Sequence, residues 1–152
     1  MTRVIYVTVQ LPYGATEPFV IAEIAHLERG GCEVTVVPLR PKGRVVHGDA
    51  AALLPKAAVM PLLSGTILRA AFVQIARAPA GVIQALFSLG ATRSPRILLK
   101  NLAVFPKALW LADYARRLGA DHIHAHWAGT SATLAMLAAQ VSDIPWSFTA
   151  HR

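Results

Sequence analysis

The stretch VIYVTVQLPYGATEPFVIAEIAHLERGGCEVTVVPL, residues Val4 to Leu39, decides the fold class. Val4 to Val9 is a β-branched run with almost no polar interruption, the pattern of a parallel strand covered on both faces. Leu11 to Ala15 carries Pro12 and Gly14 and is a loop. Thr16 can then cap a helix whose first turn holds Glu17 and Pro18. Val20, Ile24 and Leu27 recur at helical spacing, and Gly30 with Gly31 supplies the left-handed stop of a helix C-terminus. Glu33 to Leu39 is a second apolar strand. Strand, helix and strand within so short a stretch form a βαβ unit, with a right-handed crossover as the default.

The C-terminal stretch repeats the pattern. DHIHAHW (Asp121 to Trp127) holds a strand over His122 to Ala125, Thr130 or Ser131 caps a helix running to about Val141, and IPWSFTAHR (Ile144 to Arg152) holds a last strand at Trp146 to Thr149. Between the two units, residues 49–118 are rich in Ala and Leu, and Pro55, Pro61, Pro79, Pro95 and Pro106 cut that helical material into pieces. The expected fold is α/β: one Rossmann-like three-layer domain with a mostly parallel sheet and a helical middle.

Composition narrows the classes. With 152 residues, 55% hydrophobic and 15% charged, the chain has single-domain length and enough apolar material for a core. A formal charge of +7 favours anionic partners. One cysteine, Cys32, excludes an intramolecular disulfide and a cysteine-ligated zinc cluster, and fits a reducing cytoplasm. Arg69, Arg77, Arg93 and Arg96 interrupt the apolar middle, so no stretch reads as a spanning helix. The basic residues are not interleaved with aromatics and carry no nucleic-acid-binding signature.

Ligands of open α/β sheets lie outside the carboxyl ends of the strands. That rule selects the Pro12–Thr16 loop, Arg40, His126 and His151. His122, His124 and His126 share one side of a strand and could face a metal, but stronger zinc signals are missing; metal is therefore not expected. The blander reading packs His122 and His124 inside and lets only His126 emerge. The first loop has a single glycine rather than a dinucleotide fingerprint, no P-loop is present, and Cys32 sits at the wrong end of its strand for catalysis.

Four segments carry a resemblance: TVQLPYGATEPFVIAEIAHLERGGCEVTVVPLRP, LADYARRLGADHIHAHWAG, SATLAMLAAQ and DIPWSFTAHR. Together and in order they resemble the N-terminal domain of family-four glycosyltransferases of the exopolysaccharide and colanic-acid type. The resemblance implies half of a GT-B architecture, in which two facing Rossmann-like domains react in the cleft between them. It implies an acceptor-side portion of a retaining enzyme that transfers a sugar from a nucleotide-sugar donor to a lipid-linked saccharide. No cofactor or metal is implied. Carried over by residue, His126 would be catalytic, approaching the donor sugar, and Tyr13, Gly14, Thr16, Glu17, Phe19, Arg40 and His151 would bind substrate. Pro18, Cys32 and Asp143 depart from the family pattern. The donor domain with its Glu-x7-Glu motif is not found here, so the chain is expected to be an incomplete piece without turnover alone.

Two alternatives stay open. Thr66 to Arg77 reads as an amphipathic helix, with Ile67, Leu68, Ala71, Phe72 and Ile75 on the apolar face and Arg69, Gln74 and Arg77 on the polar one. Arg96, Lys100 and Lys107 form a stripe at spacings of four and seven, with Arg69 and Arg77 on that neighbouring helix. Pattern alone favours a solvated face; the resemblance raises a membrane-side face, peripheral on the cytoplasmic surface, to equal standing. The rival function is a non-catalytic Rossmann-like module that binds a small anion or a protein partner.

Overall fold

The computed structural model describes residues 1–15 and 17–150. Its four strands are β1 (Thr2–Thr8), β2 (Cys32–Pro38), β3 (His122–His126) and β4 (Trp146–Thr149), and its α-helices are α1 (Pro18–Arg29), α2 (Gly65–Arg77), α3 (Pro79–Gly90), α4 (Pro95–Leu118) and α5 (Thr130–Ser142). A 3-10 helix, Gly48–Lys56, follows β2. All four strands are parallel, in the order β2-β1-β3-β4, with Val4 beside both Val34 and His122. The result is an α/β fold compatible with the Rossmann-like expectation.

Alternation along β1 sorts the core. Val4 and Tyr6 join Val20 and Ile24 of α1, together with Leu53, on one face of the sheet. Ile5 and Val7 join α4 and α5 on the other, among Ala108, Leu111, Leu134 and Leu137. The Ala-rich composition of α4 and α5 has its reason here, because Ala112, Ala115, Ala135 and Ala138 are all buried and let the two helices lie close together. Outside that pair, α2 packs on α4 and α3 on α5. Gly81 makes the α3–α5 contact possible: a Cβ there would meet the backbone of Gln140 and Val141 at 3.1 Å.

Prolines behave differently at different places in the middle. Pro79 and Pro95 stand in the first turn of α3 and α4, where the missing N–H has no partner to lose. Pro106 does not divide the chain; α4 runs through it. The Thr130 or Ser131 cap also differs from expectation. Gly129 precedes α5 without a side-chain cap, and the Ser131 hydroxyl donates back to the carbonyls of His126 and Trp127.

The amphipathic reading of α2 is reversed in part. Gln74, expected on the solvent side, is buried; its amide donates to Asp113 Oδ1 at 3.0 Å and accepts from Arg116 Nη1 at 2.6 Å. Leu68, Phe72 and Ile75, expected inside, are exposed. A polar network with α4 decided the rotation of the helix, since its partners lie on α4.

Lys107 is a second correction. Placed by spacing on a membrane-facing stripe, it is instead fully buried, and its ammonium donates to the carbonyls of Pro38 (2.6 Å), Leu39 (3.0 Å) and Met60 (2.7 Å). Three donors meet three acceptors, two of them at the end of β2. Burial pulls the Lys107 pKa from 10.5 down to about 8. Between those values the unfolded chain binds more protons than the folded one, so this residue makes stability rise with pH across that window. Denaturant titrations at about pH 8 and about pH 10 should show a gain of about 2 kcal/mol relative to Lys107→Met, which lacks the titrating group although it is destabilised throughout. Parallel profiles for the two proteins would contradict this assignment.

Candidate functional site

Chain reversal places the site. The connection from β1 leads to β2 on one side, and the later chain returns to β3 on the other, so the strand order switches at the carboxyl ends of β1 and β3. A crevice is expected at such a switch point.

Glu17 shapes its floor. The side chain is only 2% exposed, and its two oxygens accept from the backbone N–H groups of Val9 (2.9 Å), Gln10 (2.8 Å) and Leu11 (3.1 Å). Three donors that leave the sheet after β1 are thereby satisfied by one carboxylate. Glu17, expected to bind substrate, thus has both oxygens engaged by the loop's backbone, which it holds in place. Gly14 then takes a left-handed conformation (φ 73°), and its N–H donates to the Arg44 carbonyl at 3.0 Å, docking the first loop on the loop after β2. A Cβ on Gly14 would lie 2.6 Å from Gln10 Oε1, the end of a side chain free to turn aside, so it is the left-handed backbone that favours glycine there.

Arg40 is exposed at the end of β2 and lines two adjoining clefts. One, of about 540 Å³, is bounded by Gln10, Pro41, Lys42 and Leu62; the other, of about 240 Å³, by Val9, Lys100, Trp127, Gly129 and Thr130. Lys100, read from sequence as membrane-facing, therefore lines this crevice beside the N-terminus of α5. Cations and a helix N-terminus around one cleft suit an anion. Tyr13 is half-buried in the first loop and Phe19 stands on α1 above β3. Thr16 and His151, both expected to bind substrate, lie outside the described residues.

The histidines depart from expectation. His126, expected to emerge, is the enclosed one: its ring is 1% exposed, lies 5.1 Å from the Phe19 ring, and places Nδ1 3.6 Å from Glu23 Oε2. His122 and His124 are half-buried, and the Ser147 hydroxyl bridges His122 Nε2 and His124 Nδ1 at 2.8 Å each. The other nitrogen of His124 lies 3.2 Å from Thr149 Oγ1. Burial, partly opposed by the Glu23 carboxylate, lowers the His124 pKa and favours its neutral form.

Glu23 is the residue that the sequence reading missed. It accepts from Tyr6 Oη at 2.5 Å, and burial together with this carboxylate pushes the phenol well above its ordinary pKa. Glu23, His124 and His126 bring three donor atoms within 4.8 Å of one another, the set that could hold a cation; His122, the third ligand suggested by strand spacing, is not in it. Hydrogen bonds to Tyr6, Ser147 and Thr149 give Glu23 and His124 a structural role without one. One signal was available, since Phe19 and Glu23 are four apart on α1 and therefore share a face.

Comparison with protein-family models, curated proteins and solved structures finds no match.

Removing the Glu17 carboxylate tests the loop assignment. Glu17→Ala should cost about 3 kcal/mol in a urea denaturation series, because three N–H groups lose their acceptor, and Glu17→Gln should cost less. A loss below about 1 kcal/mol for Glu17→Ala would show that the loop does not depend on it.

Proposed function

We propose that the chain is the acceptor-side portion of a glycosyltransferase with the two-domain GT-B plan, acting in the biosynthesis of a cell-surface glycan. In this reading a sugar moves from a nucleotide-sugar donor, held mainly by a partner domain, to a lipid-linked saccharide. The observation that carries the proposal is the crevice at the switch point, where Arg40, Lys100 and the N-terminus of α5 surround one cleft at the strand ends. The order of motifs resembling family-four enzymes gives the cleft its chemical direction.

The chemistry asks little of covalent catalysis. Departure of a nucleoside diphosphate leaves negative charge that fixed cations and helix dipoles stabilise, and the acceptor must be held in line with the sugar. Arg40 and Lys100 supply the cations; the Tyr13–Gly14 loop supplies a wall. Gly14 keeps that wall low, and its left-handed backbone favours glycine over any side chain there. His126 enters this scheme as the residue that meets the donor sugar.

A second reading rests on one specific observation. His126 lies beneath Phe19, and a module that only captures an anion would leave it so.

Both readings are separated by one pair of measurements. Titration of the chain with a short-chain isoprenyl diphosphate saccharide, followed by backbone amide shifts, should perturb Gly14, Arg40 and Gly129. Arg40→Ala and Lys100→Ala should each weaken binding about tenfold, as expected for a charge-assisted contact. No binding would refute the acceptor role. His126→Ala, placed in a complete enzyme that carries this domain, should then slow transfer at least tenfold while leaving acceptor binding intact. Binding without any effect of His126→Ala on transfer would support the capture module.

A further inference from the structure

The outermost helices have an unusual surface. Residues 50–112 contain no Asp or Glu, whereas Arg69, Arg77, Arg93, Arg96 and Lys100 are all exposed within them. Helix α3 has no charged residue at all, although Ile83, Leu86 and Phe87 of its outer face are exposed. A helix on the surface of a water-soluble domain normally turns its polar face outward, and α3 has only Gln84 and Ser88 to offer. On α2 the polar Gln74 has turned inward and Phe72 outward. Phe72 is 74% and Phe87 78% exposed, values that put nearly whole aromatic rings into solvent.

We infer that the outer faces of α2 and α3, with the start of α4, dock on an anionic lipid bilayer, Phe72 and Phe87 entering the acyl boundary and the surrounding cations meeting the headgroups. Three observations select this occupant. Apolar residues flanked by Arg and Lys on amphipathic helices suit the boundary between acyl chains and headgroups. The exposed charges of this segment are all cationic, Asp113 beside Arg77 (3.9 Å) being only 15% exposed; such a surface complements anionic lipid and repels a second copy of itself, since two-fold association would bring like charges together. The geometry also argues for lying on the surface over crossing it. Among the described residues no single helix is long and apolar enough to span, and the α2–α3 pair, which is so only jointly, is bent by 110°. Each of the two helices also buries its inner face in the protein, through Ala70 and Ala71 in α2 and Ala85 and Leu89 in α3.

Orientation follows from α4. Lys100 lines the crevice and the neighbouring Leu99 is 70% exposed, so the first turns of α4 carry both a cleft residue and an exposed apolar one. A bilayer against α2 and α3 would bring the cleft close to the headgroup layer, where a lipid-linked diphosphate presents its sugar. The bilayer contact rests on the surface alone and stands or falls independently of the transfer chemistry.

Sedimentation of the 152-residue chain with extruded vesicles provides the test. With equal parts phosphatidylglycerol and phosphatidylcholine, binding should exceed that to phosphatidylcholine alone by ~10-fold or more, and it should weaken without vanishing in high salt. Phe72→Ser with Phe87→Ser should reduce binding a further ~10-fold at constant lipid composition, while the circular dichroism spectrum and thermal midpoint stay unchanged because both rings are exposed. Absence of pelleting at low salt would overturn the inference, as would full retention of binding by the double variant, which would leave charge alone as the cause. A dimer that dissociates in the double variant, with no vesicle binding, would assign the surface to a second copy instead.

Discussion

At the end of β1 the Glu17 carboxylate gathers three backbone N–H groups, and everything functional at this edge of the sheet depends on that interaction. A loop leaving a parallel strand has donors with no further strand to receive them, and leaving three unmet would consume a large share of a small domain's margin. Lys107 answers the same problem with the opposite charge. It enters from the α4 side and donates to three carbonyls, two at the end of β2 and one at Met60. An anion for stranded donors and a cation for stranded acceptors thus fix neighbouring loops, and the Gly14–Arg44 hydrogen bond joins them.

Rigidity there sets the character of the crevice. Arg40 follows directly on carbonyls clamped by Lys107, so its backbone is fixed while its side chain is exposed. Lys100 belongs to a helix that is itself anchored seven residues later by the buried Lys107. One α4 therefore presents one lysine to ligand and consumes another in structure. The two share one side of the helix and differ in position along its axis: Lys107 meets the carbonyls at the end of β2, whereas Lys100 lies about two turns nearer the N-terminus, at the cleft.

The βαβ units were legible because their signals are local. A β-branched run, a glycine pair and apolar spacing of three and four require no knowledge of distant residues, and β1, α1 and β2 lie within a residue or two of where those signals put them. The candidate site was legible only in outline. Strand-end logic located Arg40 and the first loop, but it could not tell that Glu17 would turn inward or that Phe19 would cover His126. Glu23 was overlooked because its partners, Tyr6 and His126, are distant in sequence and come together only across the α1–sheet interface.

Sequence by itself determined the class of fold, the absence of acid from residues 50–112 and the positions where strands end, since each is a property of composition or of short-range periodicity. Tertiary structure decided which charges are exposed and which face of each helix is inside. Lys107 moved from surface to core, Gln74 from surface to a polar network, and Phe72 from core to surface, each because a partner on another element fixed the rotation of its helix. Periodicity defines a face but not the direction it looks. That direction follows from buried hydrogen-bonding groups, whose partners lie tens of residues away and must be satisfied once water is excluded.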